Sequence, residues 1–179
     1  MKRIGVIWAL CVAAMSVSAQ EEMPREFGCI EQSDVRPDHR PSELARVVRA
    51  CISGMQYARA MQVYYTYSSF TLFDQQRVRD ESGHVVLQEL TPWIFSGYSR
   101  DVIDSLKEQA DLLRGGDETF LSETCAMIRT IGWPTYRPTY MIDRALMPRK
   151  HAEDWTHDDF DPARAWERAL TEVNNCPPA

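Results

Sequence analysis

Imidazole and carboxylate side chains are concentrated in one short segment near the carboxyl end of the chain, HAEDWTHDDFD at residues 151–161. Such groups bind zinc or harder cations, so one hypothesis is a metal-dependent hydrolase that uses His151 and His157. However, the spacing matches no metal-ligand pattern, and the glycine of a calcium-binding loop is missing. We therefore predict a solvated acidic loop without a metal, in which Asp161 caps a helix.

A second segment that could do chemistry is Ser82-Gly83-His84, which follows two acidic residues. Members of a catalytic triad usually come from distant parts of a chain, so a turn is the better interpretation. The chain has no nucleophile elbow, zinc-protease motif, phosphate-binding loop or dinucleotide fingerprint. The sequence therefore favours a binding protein over an enzyme, and we expect no cofactor.

The third segment is aromatic: WPTYRPTYM at residues 133–141 combines two prolines with three large aromatic residues and an arginine. Trp, Tyr and Arg dominate the energetics of protein interfaces, and prolines lower the entropic cost of ordering a recognition loop. The alternative is a linker whose rings fold back onto the core. We predict a binding surface formed by Trp133, Tyr136, Arg137 and Tyr140.

The first 19 residues have the pattern of an export signal. Basic residues at positions 2 and 3 precede a short apolar stretch at 4–15, and small residues occupy 16–19. This pattern predicts a signal peptide that is cleaved before Gln20. A membrane span needs about 20 apolar residues, which this stretch does not supply. We therefore expect a periplasmic or secreted protein without stable membrane insertion after cleavage.

Cysteine count supports the same compartment. One of the five cysteines lies in the predicted signal peptide, which leaves an even number in the mature chain. An even number in an exported protein predicts two disulfides, and no pair has the close spacing of a zinc knuckle or a redox motif. Three connectivities are possible. We favour Cys29–Cys51 and Cys125–Cys176, and the alternative links both flanks across the domain.

The sequence around these cysteines predicts helices. Apolar residues follow the 3.6-residue period from about 42 to 65, with Gly54 inside this helix at a close helix crossing. The segment 66–90 is ambiguous, and we favour helix because no second strand pattern exists for pairing. Four tyrosines cannot share one helix face, so some must be exposed or covered by another element: Tyr57, Tyr64, Tyr65 and Tyr67.

Capping and stop residues delimit the later helices. We predict helices from Thr91-Pro92 to Gly115 with a kink or split at Gly97, from Asp117 to Gly132, from 139 to 146, and from Asp161-Pro162 to an inward-facing Val173. These predictions give a single compact all-α domain of five to six helices, held by two disulfides, at 41–179. An irregular arm at 20–40 precedes it.

The charge of the chain limits its partners. Without residues 1–19 the chain has 18 basic and 26 acidic residues, a formal charge of −8. Nucleic acid and anionic lipid both favour a basic surface, so we expect neither as a partner.

An exported, acidic, helical chain with two disulfides and the sequence RACISG at 49–54 resembles the periplasmic immunity proteins of the Tai type, which neutralise amidase toxins. The resemblance implies that this chain binds and blocks a secreted toxin, and it implies no particular functional residue. We therefore expect an exported binding or inhibitor protein that acts by contact with a protein partner. The alternatives are the metal-dependent hydrolase and a structural factor that maintains the cell envelope.

Overall fold

A computed structural model describes residues 28–145 and 155–178 of the protein. Within these ranges the chain is all-α, as predicted, and its only β-type pairing is an isolated bridge between Val78 and Thr156. The predicted signal peptide and His151 lie outside the described residues. No helix within them combines the length and the apolar character needed to cross a bilayer.

The described residues form seven α-helices: α1 (Pro41–Ser53), α2 (Tyr57–Arg77), α3 (Val86–Phe95), α4 (Arg100–Asp111), α5 (Glu118–Ile131), α6 (Thr139–Ile142) and α7 (Pro162–Asn174). Short 3₁₀ helices precede α1 and α3, at Gln32–Asp34 and Glu81–Val85, and a π-helical turn follows α4 at Leu112–Gly116.

Helix α2 is the centre of the domain, because α1, α4 and α7 all pack against it. Every residue from 65 to 71 is buried, so this helix has no solvent face over two turns. Tyr65 and Tyr67 are therefore both buried although they point in different directions from the helix. The sequence left open whether such tyrosines are exposed or covered, and other helices cover these two.

The single helix predicted at 42–65 is wrong. Helix α1 ends at Ser53, Gly54 follows as its C-cap, and Met55 adopts a left-handed conformation with φ of 56°. The chain restarts as α2 at Tyr57 and stays helical to Arg77, so the ambiguous segment begins as a continuation of α2. A glycine at a helix end costs little there, whereas a glycine inside a helix is destabilising.

Other predicted features also differ from the structure, and the helix predicted from 139 to 146 ends at Ile142. Helix α3 begins at Val86, and Pro92 lies inside it, so the predicted start at Thr91 is wrong. The Thr91 hydroxyl instead shares a hydrogen bond of 2.9 Å with the Tyr67 hydroxyl. Val173 is 37% exposed and does not face the core. The split at Gly97 is confirmed, with φ of 82° between α3 and α4.

The predicted caps of helices α5 and α7 are confirmed. The Asp117 carboxylate accepts a hydrogen bond from the Phe120 N–H at 3.0 Å, and Gly132 ends α5 with φ of 81°. The Asp161 carboxylate accepts from Ala163 N–H at 3.0 Å and from the next residue at 3.1 Å. Both carboxylates satisfy backbone donors that the first helical turn leaves unpaired.

The favoured disulfide pairing is confirmed. Cys29–Cys51 ties the arm to α1 across 22 residues, and Cys125–Cys176 ties α5 to the segment after α7 across 51 residues. Restricting loops of these lengths in the unfolded chain stabilises the fold by about 3 and about 4 kcal/mol in the chain-entropy description. The two bridges therefore hold both flanks of the domain against its helical core.

Candidate functional site: the loop around Trp133

The loop between α5 and α6 carries the aromatic segment predicted as a binding surface. It leaves α5 at Gly132 and is tied to the amino-terminal arm, because Thr135 N–H donates to the Pro37 carbonyl at 2.9 Å. Pro134 and Pro138 are both buried. The loop is therefore attached to the domain along its length and does not extend freely into solvent.

Tyr136 and Tyr140 attach this loop to the central helix. Their hydroxyls both donate to Asp74 Oδ2, each at 2.8 Å. Asp74 lies on α2 and its exposed fraction is 0%. One buried carboxylate oxygen thus holds the two ends of a five-residue stretch of the loop.

Arg77 completes the buried network. Its Nε donates to Asp74 Oδ1 at 2.8 Å, its Nη2 lies 2.6 Å from the same oxygen, and Nη2 also donates to the Tyr136 carbonyl at 2.8 Å. The guanidinium lies 5.2, 5.3 and 5.6 Å from the ring centres of Phe73, Tyr136 and Trp155. Arg77 therefore neutralises Asp74 and joins α2, the loop and the segment around residue 155.

Burial controls the ionisation of this network. It raises the pKa of Asp74 above 3.8, against the opposing effect of Arg77 and of the two hydroxyl donors. Burial, followed by the charge on Asp74, raises the pKa of Tyr136 and of Tyr140 well above 10. Both phenols consequently remain protonated donors at neutral pH. The hydrogen bonds of the network therefore position the loop on α2.

The outer side of the loop is different. The Trp133 side chain is 44% exposed, and Arg137 is exposed with its guanidinium 5.9 Å from the ring centre of Trp155. The four predicted binding residues thus divide into an inner pair, Tyr136 and Tyr140, and an outer pair, Trp133 and Arg137. We call the outer pair the Trp133 surface.

Asp74 and Arg77 were missed by the sequence reasoning. Their signal was an acidic and a basic residue three positions apart within an apolar stretch that contains Phe70, Phe73 and Val78. Charges three residues apart on a helix are neighbours, and charged residues are almost never fully buried unless they are paired. That pairing would have identified the buried site but not its tyrosine partners.

The two other segments carry no catalytic arrangement in the residues that the structure describes. Asp80 Oδ1 accepts from the backbone N–H and the hydroxyl of Ser82, and His84 Nε2 donates to the Val78 carbonyl. Ser82 and His84 therefore bond to different groups, and both residues lie in the 3₁₀ helix at Glu81–Val85. No group of three His, Cys, Asp or Glu side chains there has the arrangement of a metal site. His151 lies outside the described residues.

The fold and this surface define a class of protein: a small all-α domain, linked by two disulfides, with one aromatic loop anchored on a buried ion pair. Comparison with protein-family models, curated proteins and solved structures finds no match to the chain.

Proposed function

We propose that this chain is an exported binding protein, which inhibits or sequesters a protein partner through the Trp133 surface. The observation that supports the proposal is the combination of an exposed Trp133 with a loop anchored from beneath by Asp74. Tryptophan and arginine are enriched among the residues that dominate interface energies. A loop that is already ordered loses little conformational entropy when it binds.

A partner would gain apolar contact at this position. A tryptophan side chain contributes a large, rigid contact area with few rotatable bonds. A stable protein interface buries about 800 Å² on each partner, which exceeds one side chain. The contact would therefore extend from Trp133 along the loop to the neighbouring Pro37, which accepts the Thr135 hydrogen bond, and to Trp155 beneath Arg137.

Export is the second part of the proposal. Disulfides form and persist in oxidising compartments, and the two bridges support a site of action outside the cytoplasm. Together with the signal pattern at residues 1–19, they support a periplasmic or secreted protein. The partner is then a protein of the envelope or of the surrounding medium.

The narrower form of the proposal concerns the identity of the partner. The resemblance to immunity proteins implies a secreted toxin that this chain binds and neutralises. A toxin gene beside the gene for this chain would support that form. Its test is co-expression: cells that export the toxin survive only when this chain is exported with it, and Trp133→Ala abolishes the protection.

Capture from cell-envelope extract of the native host tests the general proposal. The immobilised mature chain should retain one protein in near-stoichiometric amount, and Trp133→Ala should lose it. Trp93→Ala is the matched control, because the Trp93 side chain is exposed to a similar extent, 42%, and packs on Arg49 in α1. Equal capture by the wild type and by Trp133→Ala would place the interface elsewhere, and no stoichiometric partner would contradict the proposal.

A further inference from the structure

A cleft of about 260 Å³ lies between the carboxyl end of α2 and the first turns of α7. Its lining includes Gln75 and Gln76 from α2, Arg164 from α7, and Asp159 and Phe160 from the segment before α7. We infer that this cleft is a binding site for a small zwitterion that carries one ammonium and one carboxylate group.

The walls of the cleft are held in place by the fold. The segment that precedes α7 is attached to α2 by the backbone hydrogen bonds Arg79 N–H to Trp155 carbonyl at 2.9 Å and His157 N–H to Arg77 carbonyl at 3.4 Å. The Phe160 ring packs edge-on against Phe73, with ring centres 5.5 Å apart. The cleft therefore exists before any ligand binds, which reduces the entropic cost of binding.

The Gln76 side chain, which we call the floor of the cleft, is also ordered. The Gln76 amide nitrogen donates to the Leu72 carbonyl at 3.2 Å and to the Ala165 carbonyl at 3.0 Å, which bridges α2 and α7. These bonds leave the amide oxygen of Gln76 as an acceptor. The floor therefore supplies a fixed polar group, and the neighbouring Phe160 ring supplies apolar surface.

The charges of the lining give the chemistry of the ligand. Arg164 and Asp159 line the same cleft, yet neither lies within 4.0 Å of an opposite charge in the residues that the structure describes. Arg168 and Asp161 also line the cleft, but each already has a partner in the protein. Arg168 pairs with Glu172, and the Asp161 carboxylate accepts from the Ala163 and Arg164 backbone N–H groups at the start of α7. Arg164 and Asp159, both exposed, are thus the cation and the anion of the lining whose side chains have no hydrogen-bond or ion-pair partner among the described residues.

A ligand with both charges satisfies both groups at once. Its carboxylate would accept from the Arg164 guanidinium, and its ammonium would donate to the Asp159 carboxylate and to the Gln76 amide oxygen. Such charge-assisted hydrogen bonds are about twice as strong as neutral ones. A simple anion or a simple cation would satisfy one group and face the other with the same charge. The cleft therefore favours zwitterions, of which free amino acids and short peptides are the two sources.

Titration calorimetry with the mature chain tests this inference, using L-alanine and L-alanyl-L-alanine as the two zwitterions and acetate and ethylammonium as single-charge probes. At least one zwitterion should bind saturably at one per chain, and each single-charge probe at least about tenfold more weakly. The zwitterion that binds more tightly distinguishes a free amino acid from a peptide. Failure of both zwitterions to saturate would overturn the inference.

Two charge-removing variants provide the second arm. Arg164→Gln and Asp159→Asn should each weaken binding of the zwitterion by about tenfold or more. Arg100→Gln is the matched control, since Arg100 is an exposed arginine on α4 that does not line the cleft. Trp133→Ala should leave zwitterion binding unchanged, which separates this site from the proposed protein interface. Wild-type affinity in both cleft variants would overturn the inference.

Discussion

Removal of the Tyr136 and Tyr140 hydroxyls, singly and together, tests whether Asp74 anchors the loop that carries Trp133. Tyr136→Phe and Tyr140→Phe each delete one donor and keep the ring. Both hydroxyls donate to Asp74 Oδ2 at 2.8 Å, while Arg77 bonds to the other carboxylate oxygen. Each single variant therefore leaves Oδ2 with the remaining phenol, whereas the double variant removes both of its hydroxyl donors.

This geometry sets the magnitudes. A hydrogen bond to a charged group contributes about 1.5–3 kcal/mol, and each single variant should lie at the low end, near 1.5 kcal/mol, because the second phenol still satisfies Oδ2. In the double variant a carboxylate with an exposed fraction of 0% has one oxygen without a phenol donor. The desolvation of this oxygen is then uncompensated. We therefore expect the free energy of unfolding to fall by about 4 kcal/mol or more, which exceeds the sum of the two single variants.

Urea unfolding of the mature chain with both disulfides intact, followed by circular dichroism, measures these free energies in one double-mutant cycle. Tyr57→Phe is the control, because Tyr57 is half-buried and its hydroxyl forms no hydrogen bond with the described residues. That control should change stability by less than about 0.5 kcal/mol. Strictly additive losses, or single losses as small as the control, would refute the shared-acceptor account.

Two other predictions use the same unfolding assay. Burial raises the pKa of Tyr67 from 10.0 to about 12, so its contribution to stability is complete below pH 10 and declines by about 2–3 kcal/mol as pH rises through 12. Tyr136 and Tyr140 also have raised pKa values, so Tyr67→Phe should reduce the fall of stability over that range without removing it, and an unchanged slope contradicts this assignment. A Cβ on Gly83 would lie 2.4 Å from the Met141 carbonyl oxygen, whereas one on Gly28 meets nothing within 4 Å. Gly83→Ala should therefore cost about 1–3 kcal/mol and Gly28→Ala almost nothing, and equal effects would contradict the close contact with α6.

Features with local causes could be predicted from the sequence. Asp117 and Asp161 bond to backbone N–H groups within three residues of themselves, so their capping role is visible in the adjacent sequence. The α-helical class follows from apolar periodicity in the same way. Cysteine number and export predicted two bridges, and the favoured pairing joined each flank to a helix.

Features that depend on distant residues could not be predicted in this way. Helix α2 shows no amphipathic period over residues 65–71, because three helices cover it from different sides. The end of α1 before Gly54 was also missed, since a glycine inside a periodic stretch is compatible with either a continuous or a broken helix.

The candidate site shows the same division most clearly. The sequence alone determined that residues 133–141 form a proline-stiffened aromatic segment with the composition of an interface. Only the tertiary structure decided which side chains point outward, because Tyr136 and Tyr140 reach an acceptor on Asp74 that lies 62 and 66 residues earlier in the chain. A buried carboxylate must be compensated by donors, and here those donors come from the loop. That requirement turns both tyrosines inward, while Trp133 remains at the surface.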